Sequence, residues 1–92
     1  MTRKEVKTIM ASAIRASVKA SVFRLVAQEC RAGRAAEAIE HLEATAMWPE
    51  CPRELMMYLD VAALNGQCYD KAAELAEQEE HRYRLLAGLP CP

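Results

Sequence analysis

The same kind of segment occurs twice in this chain, 34 residues apart: Gly33-Arg34-Ala35-Ala36-Glu37-Ala38-Ile39-Glu40 is answered by Gln67-Cys68-Tyr69-Asp70-Lys71-Ala72-Ala73-Glu74, alike in pattern and identical at Ala38/Ala72 and Glu40/Glu74. The shift also pairs Val22 with Met56, Leu25 with Leu59, Ala35 with Tyr69, Ala38 with Ala72 and Leu42 with Ala76, so apolar positions meet apolar positions. A period of this length accommodates two helices and their turns. One such pair cannot bury its own apolar face; it must stack on a neighbour, and stacked pairs leave a surface on which another chain can lie. The repeat therefore predicts an all-α protein whose work is binding rather than catalysis.

Composition supports helices over sheets. Seventeen residues are alanine, while there is one phenylalanine, one tryptophan, three glycines and four prolines. Alanine is the best helix former, and its small side chain lets helices approach closely. A chain of 92 residues forms one small domain over residues 1–92 with a thin core, and a partner can supply what that core lacks.

Charge is unevenly placed. Residues 1–34 hold eight Lys/Arg against two Glu, and residues 35–92 hold four against eleven acidic residues. The basic half lacks the interleaved aromatics of a nucleic-acid footprint, and no basic cluster rises above the composition, so no nucleic-acid partner is expected. No stretch approaches a membrane span, and no apolar run follows the N-terminal charges, which predicts a soluble cytoplasmic protein. Cys30, Cys51, Cys68 and Cys91 are separated by 21, 17 and 23 residues. Without a CxxC pair this spacing argues against zinc, and free, mostly buried thiols are expected.

Thr2-Arg3-Lys4-Glu5 has the capping-box pattern that starts a helix at residue 3, and Val6, Ile9, Met10, Ala13 and Ile14 follow as an apolar stripe. Ser17, Val18 and Ser21 then lower helix propensity. The repeat register places a turn between pairs near residues 16–20, so a break is expected there, with an N-terminal helix over 3–16; one helix over 3–32 is the alternative. The first repeat then covers 21–46, with its turn at Gly33, and the second covers 53–87, with its turn at Gly66. Met47-Trp48-Pro49-Glu50-Cys51-Pro52 is a loop, because its two prolines forbid helix continuation. The whole is about five helices in a stack of antiparallel pairs.

Gly33, Ala35, Ala38, Leu25 and Leu42, with Leu59, Tyr69 and Ala72 in the second copy, resemble the tetratricopeptide repeat superfamily over residues 21–87. The pattern departs at Val22 and Met56, where an aromatic is usual, and at Val26 and Asp60, where a small residue is usual. A degenerate repeat of this size with a capped N-terminal helix is similar to the needle-subunit chaperones of bacterial type III secretion. That resemblance implies a cytoplasmic hetero-oligomer, a heterotrimer with the secreted needle subunit and a small helical co-chaperone, in which premature polymerisation of the needle subunit is prevented. It implies no catalytic residues and no cofactor.

In the tetratricopeptide register the first helix of each pair lines the binding groove. This assigns Phe23, Ala27, Cys30 and Arg31, then Met57, Val61, Leu64 and Asn65, to the partner. These residues are mostly apolar and suit the apolar stripe of an amphipathic helix; adaptable methionines fit that role. Packed core is the competing reading for the same positions. Val6, Met10, Ile14 and Tyr58 form a possible additional interface, Trp48 is expected to plug the seam between pairs, and Arg31 and Arg34 are available to an acidic partner. His41 and His81 each lie one turn from a glutamate, Glu37 and Glu77, a spacing that is common on acidic helices and does not by itself make a metal or acid–base site. With no HExxH and no nucleophile paired to a histidine, neither an enzyme nor a metal site is expected. A constitutive adaptor or structural subunit of a helical complex is the alternative to a chaperone.

Overall fold

The computed structural model describes residues 2–89, with the side chains of residues 7–14 outside the description. The protein is all-helical among these residues. Helix α1 runs Arg3–Arg31, α2 Ala35–Ala44, α3 Arg53–Asn65 and α4 Tyr69–Ala87, with a single 3-10 turn, Trp48–Glu50, between α2 and α3. Each helix packs on its neighbours in sequence, and α4 returns against α1 in the largest of the helix–helix contacts.

The start of α1 follows the capping box. The Glu5 backbone N–H donates to Thr2 Oγ1 at 3.2 Å, and the Thr2 N–H donates to Glu5 Oε2 at 3.0 Å. The expected break near residues 16–20 is absent: α1 is continuous for 29 residues. Two causes are visible. The Ser21 hydroxyl donates to the Ser17 carbonyl at 3.2 Å, so it is satisfied within the helix instead of competing with it. Ala16 and Ala20 are buried in the core cluster, and packing of this kind outweighs the few tenths of a kcal/mol per residue that serine and valine forfeit (~0.5). The N-terminal helix and the first helix of the first repeat are thus one element.

α4 lies antiparallel on α1. Near one end Arg31 Nε is 2.7 Å from Glu77 Oε1; near the other, Phe23 and Tyr83 stack with ring centroids 5.7 Å apart and planes 6° from parallel. Both helices turn small residues to the core, Ala16, Ala20 and Ala27 on α1 and Ala72, Ala73 and Ala76 on α4, all buried. At a rise of about 1.5 Å per residue α1 is roughly 43 Å long and α4 roughly 28 Å, so the first turns of α1 project beyond the end of α4. Residues 2–6 are exposed accordingly, and the molecule is elongated, 52 × 25 × 18 Å.

The helix ends show how the turns are set. After α1 the Arg34 N–H donates to the Glu29 carbonyl at 2.8 Å and the Gly33 N–H to Cys30 at 3.0 Å, with Gly33 at φ 75°. This paired arrangement satisfies the last carbonyls and calls for a left-handed residue. α2 ends in the same way, Met47 N–H donating to Leu42 at 2.8 Å and Ala46 N–H to Glu43 at 3.1 Å, but the left-handed residue is Ala46, at φ 56°. That closure stops α2 at Ala44, two residues before the expected end. It also turns Met47 into the core, where it is buried with Cys51. Trp48 packs half-buried against the same cluster.

Because Ala46 is exposed and holds a conformation that costs an L-residue about 1 kcal/mol, Ala46→Gly should stabilise the protein by roughly 0.5 kcal/mol after the added chain entropy of glycine is subtracted. A thermal melt followed by circular dichroism checks this, with a rise in the midpoint expected.

Candidate functional site: an open stripe on α3

The eight residues assigned to a groove divide by helix. On α1, Phe23, Ala27 and Cys30 are buried; they are core, and the expectation that they face a partner is corrected. The cause is α4, whose Tyr83 stacks on Phe23 and whose alanines cover the same face. Arg31 remains exposed and is engaged by Glu77. On α3 the outcome is opposite. Met57 is 52% exposed and Leu64 83% exposed, Val61 is half-buried between them and Asn65 is exposed at the end of the helix.

Residues 57, 61 and 64 recur at i, i+4 and i+7, so they form one stripe along α3. Its opposite face, Leu55, Leu59 and Ala62, is buried. The stripe is therefore an outward apolar row on a helix anchored from behind. Glu54 and Asp60 flank it and are exposed.

The 34-residue register holds for the second helices and fails for the first. Ala38 and Ala72 are both fully buried, as are Leu42 and Ala76, whereas Leu25 is 36% exposed and its counterpart Leu59 is fully buried. Both α1 and α3 meet α2 and α4, but the long α1 lies on α4 over a far larger contact, and that gives it a different role from α3. No alternation in the sequence announces that difference.

Of the additional interface, Val6 is exposed and Tyr58 is half-buried against the core. Met10 and Ile14 lie among the side chains outside the description. Further apolar exposure that the sequence reading did not single out sits at the end of α4, at Leu85 and Leu86, and at Val18 on α1. The polar face of α4 ends at Arg84, so a heptad plot of its last turn would have marked the two leucines.

The titratable groups explain themselves locally. Arg34 does not wait for an acidic partner: its Nε is 2.6 Å from Glu29 Oε2. This hydrogen bond holds the Glu29 carboxyl below its usual 4.5, against partial burial, with the charges of Arg34 and His41 adding to it. His41 Nε2 is 4.0 Å from Glu29 Oε1, so its carboxylate neighbour comes from α1 rather than from Glu37. Burial pushes the Cys30 thiol up to about 11, with the Glu29 charge adding to the effect, and the Cys51 thiol up to about 12. Both are unreactive as thiols near neutral pH. Cys68 is exposed, and Cys91 lies outside the described residues. Among the described residues no group of three His, Cys, Asp or Glu side chains is placed to hold a metal, and no helix is long and apolar enough to cross a membrane.

A lowered folded pKa at Glu29 means that its pairing with Arg34 stabilises the fold above the unfolded value and is lost as pH falls through the folded one. Arg34→Met should lower the melting midpoint slightly at neutral pH, and the difference from the parent should vanish well below the usual carboxylate value of 4.5. Melting curves at a series of pH values check this.

A second cleft lies elsewhere, on the seam of α1 and α4, with Ala27 at its floor and Arg24 and Arg84 on opposite walls; its volume is about 390 Å³. No protein-family model, curated protein or solved structure matches the chain.

Proposed function

We propose that this protein binds an amphipathic helix of a protein partner along α3, through Met57, Val61 and Leu64. The observation that carries the reading is the exposure of Leu64, 83%, in line with Met57 on a helix whose other face is fully committed to the core. Burying two such side chains yields roughly 1.5–3 kcal/mol each, enough to organise a helix-in-groove contact with flanking polar groups. Monomeric surfaces do carry single exposed leucines. An aligned row on one helix is a different matter, because a partner helix can match its spacing.

The biological form of this reading follows the family resemblance of the sequence. The chain acts as a cytoplasmic chaperone in a bacterial type III secretion system, sequestering the needle subunit so that it does not polymerise early. A small helical co-chaperone engages the projecting first turns of α1, beginning at the exposed Val6. Support for that assignment comes from the helical pairs and the open stripe.

Leu64→Glu and Met57→Glu each test the stripe without touching the core. Each variant should melt within about 0.5 kcal/mol of the parent and weaken capture of a purified needle subunit at least tenfold, about 1.4 kcal/mol, as read by titration calorimetry. Unchanged affinity in the double variant would remove α3 as the binding surface.

A further inference from the structure

The seam cleft between α1 and α4 is separate from the α3 stripe and carries its own chemistry. On the α1 side Arg24, Gln28 and Arg31 succeed one another along the helix; on the α4 side stand His81 and Arg84, with Glu77 and Glu80 beside them. Two of the arginines are occupied. Arg31 is held by Glu77 at 2.7 Å, and Arg84 Nη1 is 3.5 Å from Glu80 Oε2, a looser pairing. Arg24 makes no ion pair or hydrogen bond among the described residues. Of the three guanidinium groups that line the cleft, Arg24 is the one with no carboxylate paired to it among the described residues.

We infer that this cleft binds a small organic oxyanion, a phosphate ester or a polycarboxylate, with Arg24 as its anchor. A guanidinium presents a planar fork that matches two oxygens of such a group, and its charge strengthens both bonds. Gln28, one helical turn along, offers amide N–H groups to the same anion. Arg84 faces them from α4 and adds its positive charge to the opposite wall. Ala27 is the reason there is room: its methyl group is the floor where a larger side chain would close the seam. The arginine stems provide apolar wall for the carbon skeleton, and a volume of about 390 Å³ lies within the range of small-ligand sites, roughly 300–1,000 Å³. Since the cleft is open to solvent, binding is screened by salt, and ionic strength must be held constant for it to be read.

The test is titration calorimetry of the full chain with pyrophosphate and, separately, with citrate, at one ionic strength maintained with sodium chloride. Saturable one-to-one binding of either anion is expected. Pyrophosphate alone identifies a phosphate site and citrate alone a carboxylate site. Arg24→Ala should weaken the bound anion at least tenfold, Arg24→Lys by less, and Gln28→Ala by a few-fold; Glu80→Gln should tighten it by removing a negative charge from the wall of the cleft. All three side chains lie at the surface or the rim, so circular dichroism of each of the four variants should match the parent. Absence of saturation with both anions, or an Arg24→Ala variant that binds as well as the parent, overturns the inference.

Discussion

The contact between α1 and α4 decides the rest of the molecule. Without it α1 would be a long helix with a wide apolar face, Phe23, Val26, Ala27 and Cys30, turned to water. With it, those residues are the core, the expected break in α1 is suppressed, and α3 is left as the helix with an open apolar row. The stacked pair of Phe23 and Tyr83 lies in this contact. Lys19 Nζ, 5.6 Å from the Tyr83 ring centroid, and the Arg82 guanidinium, 4.4 Å from it, add cation–π attraction at the edge.

Alanine makes the contact possible. At Ala16, Ala20 and Ala27 on α1, and at Ala72, Ala73 and Ala76 on α4, all buried, a small side chain forfeits hydrophobic area but brings backbones near enough for many weak dispersion contacts. The core gains density in place of bulk. It is bounded by the few large side chains available, with Leu42, Leu55 and Leu59 fully buried on the α2–α3 side. Surface ion pairs such as Lys19 with Glu50, at 2.9 Å, trim the orientation of the loop against α1 and contribute little energy by themselves.

Local chemistry made much of the fold legible. Thr2 with Glu5, Gly33, Gly66, and Pro49 with Pro52 mark helix starts and stops because capping and left-handed conformations depend on the residue itself. The end of α2 was not legible, since an alanine holds the left-handed position there and carries no signal. The α1 break was misread for a related reason: Ser17, Val18 and Ser21 have low propensity in isolation, and what overrides them is packing against residues some sixty positions away. At the candidate site the α3 residues were found by register, and the α1 residues were misassigned by the same register. A repeat period gives position within a unit and says nothing about which units touch.

From the sequence alone it follows that the chain is helical, where most of the helices end, and that apolar residues recur on one side of each; these are consequences of propensity, capping and periodicity, which act over a few residues. Tertiary structure alone decided which apolar rows are core and which are surface. That choice depends on α4 returning to α1 rather than continuing a linear stack, and it buried Cys30 while leaving Leu64, its counterpart 34 residues on, in water. The physical reason is that burial is a property of pairs of surfaces, so identical local patterns diverge once one of them is covered.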